Sequence, residues 1–390
     1  MNPPRKGTPD FLLLFLTFLL VCFGLAMVFS ASSMTGAYTE GDPWYFTKKQ
    51  IIAVVIGTIG MLFCMNIHFT KLKKLVIPAF VLVLGSLVFV LLVAEEANGA
   101  RSWIRVGPLS LQPTEFAKLG IIMYLAALIS NKDEKFRDFK RGLLPALFVV
   151  GLVSFLILLQ NDFGSTFIVL LTAATVILVG GSNLKHVFLL GAGFVTFAAV
   201  GLAIYLLNST SEANNYRLDR LTTFLDPWST KLDEGYQIIQ SLYAFGHGGL
   251  VGAGFGRGIQ KLHYLPEAHN DFIFAIIGEE LGFIGIVIFL FIYLLFLWRG
   301  ILIAVRCSDT FGTLTGIGIM GMIGFQAIIN IGGVTSTIPL TGVTLPLISA
   351  GGSSMMAVLI SMGVLLSISR EQSLPPLKAA KSVKDTSRSV

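Results

Sequence analysis

Long apolar runs separated by short polar segments set the pattern of this chain. Ten runs of about 17 to 25 residues match helices that cross a hydrocarbon core of about 30 Å. They fall at roughly residues 11–31, 50–66, 75–94, 114–130, 143–160, 164–181, 186–207, 272–298, 312–331 and 353–369. Outer-membrane strands would instead give short alternating segments. The pattern predicts an all-α polytopic membrane protein with about ten transmembrane helices, and an even number places both termini on one side. One connection, residues 208–270 between spans seven and eight, is too long for a plain link and is expected to be a functional extracellular loop. Inside it, Tyr236 to Phe245 sets Ile238, Ile239, Leu242 and Phe245 on one helical face and Gln237, Gln240 and Ser241 on the other. That spacing predicts a helix lying at the membrane interface.

Composition agrees with the pattern. Hydrophobic residues make up 54% of the 390 and charged residues 13%, against about 25% charged in a soluble chain. The net charge of +6 does not point to nucleic acid, because the basic residues sit in short loops beside apolar runs. With the termini inside, eighteen Lys and Arg fall on inner segments and nine on outer ones. This asymmetry predicts cytoplasmic termini and an external 208–270 loop. Cys22, Cys64 and Cys307 lie in or beside apolar runs without paired spacing, so they frame neither disulfides nor a zinc site. Arg5 and Lys6 before Phe11 to Phe29 read as an uncleaved first span. There is no internal repeat of the kind that builds transporters from duplicated halves. Residues 1–370 are expected to form a single integral domain and 371–390 a disordered cytoplasmic tail.

Several stretches depart from plain spans. Tyr264 to Gly282 (Y-L-P-E-A-H-N-D-F-I-F-A-I-I-G-E-E-L-G) runs from Glu267, His269, Asn270 and Asp271 into an apolar segment that carries Glu279 and Glu280. Ionisable groups at such depth are costly and need a reason. Asn98 to Lys118 puts Arg101 and Arg105 in a short Trp-containing turn, then starts a helix at Pro113 and Thr114, with Thr114 a candidate N-cap. Glu115 and Lys118 are one turn apart and able to pair. Asn330 to Ser354 holds too much Gly, Pro, Ser and Thr to be a continuous helix. Gly248 to Gly258 (G-G-L-V-G-A-G-F-G-R-G) lacks the spacing and preceding strand of a dinucleotide loop; it reads as backbone that turns sharply or packs closely.

Three motifs, L-P-E-A-H-N-D-F-I-F-A-I-I-G-E-E-L-G, R-S-W-I-x-x-G-x-x-x-x-Q-P-T-E-F-x-K and P-L-T-G-V-T-L-P-L-I-S-x-G-G-S-S, occur over nearly the whole chain. Through them the chain resembles the SEDS family, whose members include FtsW, RodA and SpoVE. The Leu-Pro-Glu-Ala-His form of the central motif is more similar to the FtsW type than to RodA. The resemblance implies a peptidoglycan glycosyltransferase that polymerises lipid II, the undecaprenyl-pyrophosphate disaccharide pentapeptide, outside the bacterial cytoplasmic membrane, here for cell division. It implies a class B penicillin-binding protein transpeptidase and other divisome or elongasome membrane proteins as partners. The family's essential loop aspartate falls on Asp271. Ser349-Ala350-Gly351-Gly352-Ser353 departs from the family's S-Y-G-G-S, and His247 stands where a small polar residue is expected.

Joining two lipid-linked sugars needs a base for the attacking hydroxyl and positive charge for the departing pyrophosphate. Asp271 is the candidate base; its plainer reading is an N-cap of the eighth span. Arg101 and Arg105 suit phosphate oxygens, or simply anchor the chain at the interface. The expected substrate-facing set is Arg101, Arg105, Glu115, Lys118, Gln240, Lys261, Glu267, His269, Ser349 and Ser353. His263, Glu267 and His269 superficially resemble a metal site, but Leu265-Pro266 breaks the helix that would present them together. No tightly bound cofactor is expected, and a Mg or Mn ion would come and go with the pyrophosphate. Two other readings stand beside this one: a flippase for lipid-linked precursor, which would want functional polar groups on both faces, and a non-catalytic scaffold for the transpeptidase, which would leave Asp271 unexplained.

Overall fold

The computed structural model of the chain describes residues 7–94, 102–106, 109–183, 185–186, 224, 226–230 and 234–372. Its helices are α1 (Phe11–Thr39), α2 (Tyr45–Asn66), α3 (Phe69–Val93), α4 (Pro113–Lys132), α5 (Leu144–Leu158), α6 (Phe163–Val179), α7 (Glu234–Gly248), α8 (Ile273–Val305), α9 (Thr310–Val334) and α10 (Gly352–Gln372). Among the described residues eight helices are long and apolar enough to cross a membrane, and Phe163–Val179 is a shorter apolar one. The fold is thus multi-pass and helical. The expected seventh span, the first part of the 208–270 loop and the tail beyond residue 372 lie outside the described residues.

The departure from all-helix is a small antiparallel hairpin of β1 (Ile104–Val106) and β2 (Leu109–Leu111), which pairs Ile104 with Leu111 and Arg105 with Ser110. Alternation of apolar and polar residues around Gly107-Pro108 is the signal for it. It occupies the stretch expected to be only a turn.

Small residues bring the helices together where no water drives them. A Cβ on Gly363 of α10 would lie 2.4 Å from the Met61 carbonyl of α2, and one on Gly57 would lie 2.7 Å from Leu359. With α2 against it along its length, α10 is the most enclosed of the eight spans. The α4 helix packs on α3, α6 and α9, and α8 packs on α1, α7 and α9.

At the end of the bundle away from the hairpin, Arg299 of α8 donates to Asp10, the α1 N-cap, at 2.5 Å. Arg370 of α10 reaches the Gly7 and Met65 carbonyls. Burial alone would raise the Asp10 carboxyl, but hydrogen bonds and charge from Arg299 hold it below the usual carboxylate range.

Two segments give the hairpin end its shape. Residues 335–351 between α9 and α10 are irregular, as expected, and their second half is buried: Leu345, Leu347, Ile348 and Ser349 are all inside. Gly24 of α1 lets the Leu347 carbonyl come within 2.5 Å of where its Cβ would stand. Gln50 of α2 both donates to the Ser349 carbonyl and accepts from the Gly351 N–H, which satisfies loop backbone that water cannot reach.

The second segment is the glycine-rich stretch after α7. Its seat is a break in α8, where hydropathy alone predicts one continuous span. Gly282 has φ 69° and ψ −173°, so the helix parts there and frees backbone groups on both sides. The carbonyls of Glu279 and Glu280 accept from Ala253 and Gly254 N–H, while Phe283 and Ile284 N–H donate to the Gly249 and Leu250 carbonyls. This exchange needs backbone at close quarters: a Cβ on Gly252 would stand 2.2 Å from the Glu280 carbonyl. The close-packing expectation for Gly248 to Gly258 is what is observed.

The α7 helix needs a correction. Ile238 and Ile239 are buried as expected, but Ser241, assigned to the polar face, is fully buried and donates to the Val334 carbonyl at 2.7 Å. The helix packs as a link to the end of α9, where this hydroxyl satisfies a carbonyl in the last turn.

Candidate functional site

Asp271 sits in a turn two residues before α8 begins. It is not the cap: the N-cap of α8 is Phe272, and no side chain caps it. The backbone of Asp271 is held from α9, because Asn330 Nδ2 donates both to its carbonyl and to that of Val343, each at 2.7 Å. One amide thus pins the turn to the 335–351 loop. The carboxylate itself faces Gly342, whose φ is +71°; a Cβ there would lie 3.5 Å from Asp271 Oδ2. No hydrogen bond or ion pair to this carboxylate exists among the described residues.

Its surroundings are acidic. Burial, then the charge of Glu267, then that of Asp162, push the Asp271 carboxyl up to about 7. Glu267 is exposed, in the left-handed region at φ 54°, and accepts from Asn270 Nδ2. Asp162 caps α6, accepting from Ser165 N–H at 2.9 Å and from Gln112 Nε2 at 3.2 Å. It is therefore structural, and it also acts on Asp271 through its charge. A half-buried carboxyl near neutrality, at the mouth of a helical bundle, suits a general base.

His269 is buried, with its ring 4.4 Å from Phe46 and its carbonyl accepting from Ala350 N–H. Burial pushes its imidazole below the ordinary value, with Glu267 opposing. His263 lies instead against Tyr38. Among the described residues no group of three or more His, Cys, Asp or Glu could hold a metal ion.

The first turn of α4 carries the expected ion pair. Lys118 Nζ donates to Glu115 Oε1 at 2.8 Å, with the lysine side chain 1% exposed. Such a pair is retained at depth only if each charge answers the other. Thr114 is not the cap of α4. Gln112 holds that position, and the Thr114 hydroxyl instead lies 3.3 Å from Gln160 Oε1.

The remaining expected site residues separate into groups. Ser349 and Ser353 are buried and their hydroxyls are spent on the chain. Ser349 Oγ accepts from Leu345 N–H; Ser353 Oγ accepts from Gln112 N–H and donates to the Ser110 carbonyl, which ties the hairpin to α10. Lys261 is also buried, in an ion pair with Glu280 at 2.6 Å rather than at a surface. Gln240 is half-buried on α7. Arg101 lies outside the described residues; Arg105 is in β1, and nothing is described of its side chain.

Sequence reasoning assigns Asp162 to structure, as its cap of α6 bears out, but misses its charge effect on Asp271 and the parts played by Asn330 and Gln50. A cap residue, an amide in an apolar run and a glutamine at a helix start each read as ordinary, and only the fold brings them to Asp271 and its loop.

With this geometry in place, the chain can be set beside known proteins. The family model described as "Cell cycle protein", for FtsW, RodA and SpoVE, matches residues 10–374. The chain is 43% identical over 370 residues to stage V sporulation protein E of Bacillus subtilis, covering 94% of this chain and 98% of that protein. It is 38% identical over 362 residues to a probable peptidoglycan glycosyltransferase FtsW of Geobacter sp. strain M18, covering 92% and 96%. Among solved structures it is similar to a chain of a peptidoglycan synthase complex studied for the coordination of polymerization and crosslinking. That likeness has a TM-score of 0.76 at 32% identity and covers 93% of this chain and 98% of that one. It is also similar to the rod shape determining protein RodA of Thermus thermophilus, with a TM-score of 0.67 at 29% identity over 94% and 98% of the two chains.

Proposed function

The chain belongs to the SEDS family of FtsW, RodA and SpoVE, and from that premise we infer that it is a peptidoglycan glycosyltransferase of cell-wall and division synthesis. Its substrate in this reading is lipid II, polymerised at the outer face of the bacterial cytoplasmic membrane. The observation that carries the reading is Asp271, a half-buried carboxyl pushed up to about 7 with no ionic partner among the described residues.

In the proposed step Asp271 takes the proton from the 4-hydroxyl of the acceptor's N-acetylglucosamine. The freed oxygen forms a bond to the anomeric carbon of the second lipid-linked chain, and the bond from that carbon to the pyrophosphate breaks. A base with a pKa near the working pH takes the proton readily and is present in its basic form. The leaving pyrophosphate needs positive charge, for which Arg101, Arg105 and the Lys118–Glu115 pair are the candidates. Glu267 and His269 border the turn and are assigned to the sugar. A Mg or Mn ion, where used, travels with the pyrophosphate.

The basic residues of the inner segments support cytoplasmic termini, and with them an external Asp271. We assign residues 1–370 to one integral domain with ten spans, 208–270 to its external loop and 371–390 to a cytoplasmic tail. Similarity to a complex that coordinates polymerization and crosslinking supports a class B penicillin-binding protein transpeptidase as partner, within the divisome or elongasome.

The test supplies labelled lipid II to the purified protein with its partner. Glycan polymer should form with wild type and fall to background with Asp271→Ala. Polymer from the variant at wild-type yield would remove Asp271 as base; lipid II translocation without polymer in liposomes would turn the reading toward a flippase.

A further inference from the structure

Two carboxylates on α8 are buried and have no part in the proposed chemistry. Glu279 and Glu280 lie in the short first part of α8 before the Gly282 break, and neither is more than 1% exposed. Uncompensated carboxylates at that depth would be severely costly. Both are compensated, and mainly by one segment. Glu279 accepts from Ile259 N–H at 2.7 Å, from Gln260 N–H at 3.3 and 3.2 Å, and from His247 Nδ1 at 2.9 Å. A carboxylate oxygen that already takes backbone donors is an acceptor, so the His247 proton resides on Nδ1. Glu280 accepts from Lys261 Nζ and the Ser30 hydroxyl, each at 2.6 Å, and from Gly256 N–H at 3.0 Å.

All but one of these donors come from residues 247–261, and Ser30 is on α1. The carboxylates therefore fasten that stretch to the part of α8 before Gly282. Gly258 leaves room for this, since a Cβ there would stand 2.7 Å from Glu279 Oε2.

Further hydrogen bonds lead from the fastening to the turn. The Gln260 carbonyl, on a residue whose N–H is held by Glu279, accepts from Leu265 N–H at 2.8 Å, and Leu265 is buried. The Glu267 carbonyl accepts from Phe272 N–H, and the His269 carbonyl from Ala350 N–H. Asp271 is thereby reached from both directions: along the chain from Lys261, and through the rigid helix that bears Glu279 and Glu280.

We propose that Glu279 and Glu280 are positioning residues for Asp271, acting through the 247–261 segment that they clasp, with His247 as the outermost hand of the clasp. The proposal rests on the reading of Asp271 as base. Neither glutamate meets substrate. Charge-assisted hydrogen bonds, from three donor groups to each carboxylate, hold a loop more stiffly than apolar contact would. A stiff clasp keeps the turn close to Glu267 and Asp162 and shields it from water.

The experiment measures kcat, KM for lipid II and the pH profile, with the thermal midpoint in detergent, for the protein with its partner. The variants are Glu279→Gln, His247→Ala and the paired Glu280→Gln/Lys261→Met, which removes both buried charges together. His247 is 42% exposed, so His247→Ala is the variant most certain to fold. Glu279→Gln should lower kcat about tenfold or more, as sub-ångström misplacement does, with KM within about twofold. Its acid limb should move to lower pH, because a slackened turn hydrates Asp271. His247→Ala should do the same to a smaller extent, and His247→Asn, which restores a donor, should recover most of it. Wild-type kcat and an unmoved acid limb in both Glu279→Gln and His247→Ala would overturn the proposal, as would activity lost only in proportion to folded protein. Should Glu279→Gln not fold, His247→Ala and the paired variant decide alone. If Asp271→Asn retains activity, it is the base assignment that fails; if Asp271→Asn is inactive while the clasp variants behave as wild type, only the clasp fails.

Discussion

A carboxyl raised to about 7 has consequences of definite sign. In the proposed role of base Asp271 would work only when ionised, so the rate should rise with pH through about 7 and level off above. The stability effect runs the other way. The folded protein holds this proton to higher pH than the unfolded chain, so the group's contribution is complete below the ordinary carboxylate value and is lost as pH rises through about 7. Glu267 supplies the larger of the two charge contributions and is exposed, so Glu267→Gln removes charge without emptying a packed site. The acid limb of kcat/KM should shift to lower pH in that variant; a limb that stays where it was would mean that Glu267 does not set the pKa of the base. Of this site, Asp271 and the Glu115–Lys118 pair were legible in the sequence because a charge beside or within an apolar run demands an explanation. Asp162 and Asn330 were not, since each acts on a residue far along the chain that only folding brings near. Lys261 was expected to face substrate and is instead buried in a pair with Glu280, for a related reason: Glu280 lies on the far side of the irregular stretch in sequence.

At the scale of elements, hydropathy gave the eight long spans found among the described residues and could not give the break in α8. The run from Ile273 to Val305 also holds Gly278, Gly285 and Gly300, where the helix continues, so a glycine in this run is a weak signal for a break. What marks it is the second glycine-rich run, Gly248 to Gly258, which supplies donors and acceptors for the parted backbone. A side chain at Gly252 tests this directly. The position has φ +82°, and a Cβ would stand 2.2 Å from the Glu280 carbonyl oxygen and 2.6 Å from its carbon, both rigid backbone. Gly252→Ala should cost on the order of 2 kcal/mol or more from conformation and contact together. It should lower the thermal midpoint in detergent and raise proteolysis in the glycine-rich segment. Gly256 has φ +79° but open space around it, so Gly256→Ala should suffer the conformational cost alone and serve as the comparison. Equal midpoints for the two variants would show that the close approach at Gly252 carries no weight.

For the whole molecule, the two ends of the bundle are distinct in kind, and the difference bears on which of them faces the cytoplasm. The Asp271 end gathers the hairpin, the 335–351 loop and the glycine-rich segment, and α1 finishes there, since Tyr38 rests against His263 at 5.2 Å between rings. The other end holds the Asp10–Arg299 pair, the Arg370 contacts, and the start of α3, where Phe69 stacks on Phe311. Lys71, Lys73 and Lys74 lie just beyond Phe69, and the excess of basic residues on this side favours a cytoplasmic setting for it. Labelling can decide this with two exposed positions at opposite ends, Glu40 and Lys74. In a background with Cys22, Cys64 and Cys307 replaced by serine or alanine, Glu40→Cys should react with a membrane-impermeant maleimide on intact spheroplasts. Lys74→Cys should react only after permeabilisation. The reverse pattern would put Asp271 inside, where a base for polymerising an externally delivered lipid-linked substrate would have nothing to act on. The proposed reaction would then fall even if Asp271→Ala were inactive. Because the labelling result depends on charge bias and bundle geometry alone, it tests the setting of the site independently of its chemistry.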